Sequence, residues 1–168
     1  MVWRSFELRP KGAPPPSPEY LDKIQAARPQ LYAMARESYG LEMNPGPFGF
    51  DSRPALIGAK YAEANNAGPA YHASVMRSYW QEAADIADLA RLADIAESVG
   101  LRRDDFLAAL AGPAYIEKVD QDIALARSYG LNSVPALVFE DKYLVSGARP
   151  ASVLQEVVDK VAAEANGT

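Results

Sequence analysis

The chain has 168 residues, 17 basic and 22 acidic side chains, and a formal net charge of −5. That length suits one domain with room for an inserted subdomain, and it buries a core without a metal or disulfide staple. No cysteine and one histidine, His72, exclude disulfides, thiolate nucleophiles and thiolate or His-rich metal sites, and an acidic chain with no basic stripe has nothing to displace the counterions of a nucleic acid.

In chain order, Trp3 to Leu8 alternate partly and predict a short strand. Lys11 to Pro16 is a Pro/Gly-rich loop. Ser17 then precedes Pro18 and Glu19, an N-cap with proline at the first helical position. The helix is expected to reach about Tyr39, with Gly40 past its end. Pro29 lacks an N–H and is expected to break that helix into two pieces. Leu41 to Phe50 carries Pro45, Gly46, Pro47 and Gly49 and reads as loop.

From Asp51 to Gly130 the pattern is helical. Helices are expected over Pro54–Asn65 and Pro69–Ala83, then from a cap at Asp85 or Asp88 to Ser98. Two more are expected over Arg103–Leu110 and from Pro113 to a stop at Gly130. Leu89, Leu92, Ile95, Ala96 and Val99 share one face, as do Ile116, Val119, Ile123 and Ala126. His72 lies on the second of these helices and reads as an ordinary helix-surface or packing histidine. No serine stands in a Gly-x-Ser-x-Gly elbow, and no phosphate-binding glycine pattern is present.

After Gly130 the period changes. Pro135 cannot donate to a sheet ladder, so it reads as the first residue of a strand or as an edge position. Ala136–Phe139 and Tyr143–Ser146 are expected as a hairpin across Glu140-Asp141-Lys142. A last helix from about Pro150 to Ala163 would bury Val153, Leu154, Val157, Val158 and Val161, and Asn166-Gly167-Thr168 reads as a frayed tail. No apolar run approaches a membrane span and the N-terminus has no signal-peptide core. A cytoplasmic protein with no membrane or nucleic-acid partner is expected.

Four stretches carry a family resemblance: Trp3-Arg4-Ser5-Phe6-Glu7-Leu8-Arg9-Pro10; Tyr79-Trp80-Gln81-Glu82 with Asp85-Ile86-Ala87-Asp88; Gly130-Leu131-Asn132-Ser133-Val134-Pro135; and Lys142-Tyr143-Leu144-Val145-Ser146-Gly147-Ala148-Arg149-Pro150. On these the chain resembles the DsbA-like branch of the thioredoxin superfamily, and within it the FrnE-like proteins. The resemblance implies an α/β, thioredoxin-like fold with a large all-helical insertion. Residues 1–45 and 131–168 would form the scaffold and 46–130 the insertion. It also implies thiol–disulfide exchange on a peptide or other thiol-containing substrate. Pro135 matches the family's cis-proline, and Ser133-Val134-Pro135 would offer backbone to an extended substrate as an added strand. Tyr79 and Trp80 would line the groove beside it.

The chain departs from the family in one respect. The family's Cys-x-x-Cys lies on a strand–helix unit ahead of the segment matching Trp3 to Pro10, and no such unit precedes Trp3 here. No residue is therefore assigned as catalytic, the sheet is expected to lack its first strand, and the chain is expected to be redox-inactive as it stands. Either an N-terminal unit is absent from this sequence, which is the expectation, or the chain is a degenerate member. The open apolar edge at Ala136–Phe139 is expected to invite another chain, a homodimer included. Two other functions fit the resemblance. One is a glutathione-dependent isomerase or transferase of the kappa-like (2-hydroxychromene-2-carboxylate isomerase) branch. That branch has glycine-alanine before its proline and Trp-Gly near the hairpin's end, where this chain has Ser133-Val134 and Val145-Ser146-Gly147. The other is a non-catalytic peptide-binding or dimerisation module. No metal is expected, and no cofactor beyond glutathione or another low-molecular-weight thiol.

Overall fold

Ser17 takes extended backbone and its hydroxyl accepts the Tyr20 N–H at 3.2 Å, which starts helix α1, Pro18–Tyr39. At the other end Gly40 turns left-handed (φ +63°) and its N–H reaches the Ala35 and Arg36 carbonyls. The computed structural model describes residues 2–10, 12–44, 49–165 and 167. Of the expected loops and tail, Lys11, Pro45, Gly46, Pro47, Phe48, Asn166 and Thr168 lie outside the described residues. Contacts divide the chain into two units, Met1–Ile123 and Ala124–Thr168, and each is described by itself.

Pro29 does not break α1, contrary to expectation. The helix runs through it for 22 residues; Pro29 lies on an exposed face, where water can satisfy the carbonyl that its missing N–H leaves unpaired. The proline still removes one backbone donor from the helix interior. Pro29→Ala is therefore expected to raise helicity and add about 1–3 kcal/mol to stability. Far-UV circular dichroism with urea unfolding checks this, and an unchanged unfolding midpoint would refute it.

The first unit continues with α2 (Arg53–Ala64), α3 (Gly68–Trp80), α4 (Leu89–Ser98), α5 (Arg103–Ala111) and most of α6 (Pro113–Ser128). Asp88, not Asp85, caps α4: its carboxylate accepts the Ala90 N–H at 2.9 Å. Asp85 instead closes a turn onto the Ala87 N–H. The apolar stripes of these helices converge on one core built around Ile57, Tyr71, Leu92, Phe106, Val119 and Ile123. Leu89 was expected on the buried face of α4 but is exposed, since it opens the first turn ahead of that contact.

The strand expected at Trp3–Leu8 is absent. Residues 2–7 are neither helix nor strand, because a strand needs a neighbour and the described residues offer this segment none. Side chains of the helices take its polar groups instead. The Asp122 carboxylate accepts the Ser5 N–H at 2.8 Å, Lys60 Nζ donates to the Trp3 carbonyl at 3.3 Å, and Arg53 pairs with Glu7 at 2.9 Å. Trp3 also stacks on His72 with ring centroids 5.0 Å apart, so the lone histidine is a packing residue.

The second unit holds the last turn of α6, a hairpin and a helix. Gly130 (φ +69°) ends α6, with its N–H on the Arg127 carbonyl. Strands β1 (Ala136–Phe139) and β2 (Tyr143–Ser146) pair antiparallel, from Ala136 opposite Ser146 to Phe139 opposite Tyr143. The Lys142 N–H closes the turn onto the Phe139 carbonyl at 3.0 Å, and Glu140 and Asp141 both have positive φ. That is the backbone sense matching the right-handed twist of a hairpin. Helix α7 (Ala151–Ala165) buries none of its residues, which corrects the expected buried face. Leu154, Val157 and Val161 are half-buried, while Val153 and Val158 are exposed, since a two-stranded sheet is too narrow to cover the whole stripe.

Candidate functional site

The approach to β1 is built from the stop of α6. The Leu131 N–H folds back to the Ala126 carbonyl at 3.0 Å, which leaves Asn132-Ser133-Val134 to bridge to the strand. The Val134–Pro135 peptide is cis. Pro135 stands just before the first ladder pair and needs no N–H there; its carbonyl accepts the Gly147 N–H at 2.8 Å. Ser133, Val134 and Pro135 are all exposed, Val134 at 54%. Among the described residues, the Val134 N–H and carbonyl have no hydrogen-bond partner. The edge of β1 away from β2 is likewise unpaired, and its side chains Ala136, Leu137, Val138 and Phe139 are only half-buried.

The hairpin is anchored at its opposite end. The Tyr129 hydroxyl donates to Asp141, and Lys142 and the Tyr143 hydroxyl both donate to Glu164 of α7. Lys160 lies over the Tyr143 ring at 4.7 Å. The Lys142 hydrogen bond, then that of Tyr143, holds the Glu164 carboxyl below its ordinary value, and Glu164 in turn raises Lys142. One end of the hairpin is thus tied to α7, while the end at Ser133-Val134-Pro135 presents backbone to solvent. Arg149 donates from Nε to the Ser146 carbonyl at 3.1 Å, so it braces the loop after β2.

Tyr79 and Trp80 end α3 in the first unit. Tyr79 is half-buried between Phe50 and Trp80, edge-on to both at 5.9 and 4.9 Å. The Trp80 ring is exposed and its carbonyl accepts the Asn44 N–H at 3.0 Å. Tyr79 thus packs, and Trp80 offers aromatic surface. A depression of about 450 Å³ in the same unit is lined by Glu97, Gly100, Leu101, Arg102, Arg103 and Asp104. None of the candidate residues lines it, and its guanidinium groups are engaged: Arg103 with Asp94 and Glu97, Arg102 with Asp105.

Sequence reasoning missed the most buried charges. Asp122 and Lys60 are 4% and 8% exposed and meet at 2.8 Å, and Arg4 reaches Asp122 at 3.0 Å. A signal was present: Asp122 falls between Val119 and Ala126 on the apolar stripe of α6, and Lys60 follows Ile57 by one helical turn on α2. Among the described residues no group of three or more His, Cys, Asp or Glu side chains is placed to hold a metal, and no helix is long and apolar enough to cross a membrane.

Comparison with known proteins adds what the side chains leave open. A family model described as a DSBA-like thioredoxin domain matches residues 1–159. The uncharacterised protein YwbO of Bacillus subtilis (strain 168) is 29% identical over 170 residues, covering 93% of this chain and 79% of YwbO. The crystal structure of a probable DsbA oxidoreductase from Streptomyces coelicolor superposes with a TM-score of 0.81 at 27% identity, covering 96% of this chain and 74% of the other. A 2-hydroxychromene-2-carboxylate isomerase superposes with a TM-score of 0.74 at 23% identity, over 92% of this chain and 75% of the isomerase; that likeness speaks for the fold alone.

Proposed function

Because the chain belongs to the DSBA-like thioredoxin domain family, we propose that it receives an extended peptide along Ser133-Val134-Pro135 and the open edge of β1, without itself exchanging thiols and disulfides. The fold is thioredoxin-like with a helical insertion, and a similar protein of known structure is described as a probable DsbA oxidoreductase. Thiol–disulfide exchange needs a thiolate as nucleophile, and this chain has no cysteine. What remains is the backbone that holds an extended partner.

One observation carries the reading: an exposed Val134 whose N–H and carbonyl lack partners among the described residues, leading directly into a strand whose edge away from β2 is open. An incoming chain would gain main-chain hydrogen bonds there, the usual source of affinity in strand addition. The FrnE-like branch fits this better than the isomerase branch, because Ser133-Val134 and Val145-Ser146-Gly147 stand where the isomerases carry other residues.

The test is amide NMR of the full chain during titration with an unstructured, cysteine-free apolar peptide. Saturable shifts confined to residues 132–139 are expected, and the chain should not speed insulin reduction by dithiothreitol. Accelerated insulin reduction would overturn the redox-inactive half of the reading. Saturable glutathione binding with no response to peptide would replace it with the isomerase branch.

A further inference from the structure

We propose that α1 is a dimerisation helix that pairs antiparallel with α1 of a second copy of the chain. This surface is distinct from the β1 edge and does not depend on the reading above. α1 runs for 22 residues and buries only Ala35. Leu21, Arg28 and Tyr32 are half-buried on the same side as Ala35. Beside that side runs a second stripe: Tyr20, Ile24, Ala27, Leu31 and Met34, spaced in alternating steps of four and three. That spacing is the seam of a two-helix coiled coil. Tyr20, Leu31 and Met34 are exposed, Met34 at 51%. Pro29 falls on the face away from the seam and does not obstruct it.

Layer chemistry and charge select the occupant and its direction. About a two-fold axis, antiparallel helices place Ala27 of one copy against Leu31 of the other, and Ile24 against Met34. Each small or narrow residue thus meets a long one, as interdigitated packing requires. Lys23 and Glu37 flank the seam, one toward each end. The same axis brings Lys23 of each copy beside Glu37 of the other, so one patch complements itself twice, as a two-fold interface must. A parallel pairing would set Lys23 and Glu37 at different levels of the seam, and neither would meet the other across it. Lys23 already pairs with Glu19 at 2.9 Å within its own helix and would bridge both carboxylates. Arg28 lies on the half-buried side of α1, away from the edge that carries Lys23 and Glu37.

The test uses the full chain. Sedimentation velocity is expected to give the mass of a dimer, and Leu31→Glu that of a monomer with unchanged circular dichroism. Lys23→Glu should weaken the dimer severalfold, and adding Glu37→Lys should restore it. The register has its own probe, because the chain contains no cysteine to interfere. Gln30 flanks the seam opposite its own copy across the axis, so a short bismaleimide should join Gln30→Cys to itself and leave Gln25→Cys, on the outer face, unlinked. A monomeric parent chain would overturn the proposal. So would a dimer that survives Leu31→Glu, as one built on the β1 edge would, or equal crosslinking at both positions.

Discussion

Asp122→Ala is expected to destabilise the protein by about 3–5 kcal/mol, the range for removing one partner of a buried ion pair. Asp122 lies within the apolar stripe of α6 and takes three donors: Lys60 Nζ at 2.8 Å, the Ser5 N–H at 2.8 Å and Arg4 at 3.0 Å. Without the carboxylate, the buried Lys60 ammonium keeps only the Trp3 carbonyl at 3.3 Å and the more exposed Glu63 at 3.2 Å. The Ser5 N–H loses its partner, and the N-terminal segment loses its tie to α6. Burial by itself raises the Asp122 pKa; the Lys60 hydrogen bond, the Ser5 N–H, the Lys60 charge and Arg4 outweigh it, so the carboxyl sits below its ordinary value. A folded value depressed in this way adds stability above the unfolded value of about 3.9. That contribution is lost as pH falls through the lower folded value. Asp122→Asn keeps an acceptor for Ser5 but cannot titrate, so its urea midpoint should fall less steeply than the parent's between about pH 4 and pH 2. Parallel acid profiles for the two proteins would show that Asp122 is not responsible.

Gly58→Ala is expected to cost about 3 kcal/mol, the upper end of overpacking penalties, even though alanine is the better helix former by about 1 kcal/mol. A Cβ at Gly58 would lie 2.3 Å from the Tyr71 hydroxyl oxygen and 2.8 Å from the Phe106 ring. Both rings are fully buried, with centroids 5.6 Å apart where α2, α3 and α5 meet, so neither has room to withdraw. The Tyr71 hydroxyl is itself without a hydrogen-bond partner among the described residues, and burial pushes its pKa well above the ordinary phenol range. Tyr71→Phe alone should therefore stabilise by about 1 kcal/mol. In the Gly58→Ala background it should recover more than that, because it removes the nearest clashing atom. Chemical denaturation of the four proteins of this cycle measures the coupling. Simple additivity would mean that the backbone of α2 shifts to make room and that the clash is not with the hydroxyl.

What could be read from the residues alone was what neighbours in the chain decide. The Ser17 cap, the Gly40 and Gly130 stops, the stripes of α4 and α6 and the hairpin at Ala136–Ser146 all rest on spacings of a few residues. Pro135 was legible for the same reason: a residue with no N–H belongs just ahead of a ladder. Pro29 misled because its local cost is real, but an exposed face lets the helix continue around it. Trp3 to Leu8 misled for a different reason. Their alternation is that of a strand, yet a strand exists only where a partner stands beside it, and here helix side chains took those backbone groups. The tie between Ser5 and Asp122 spans 117 positions, and the approach of Gly58 to Tyr71 and Phe106 depends on three helices crossing. Such pairings follow from how apolar faces pack together, and packing is a property of the folded chain that no short spacing records.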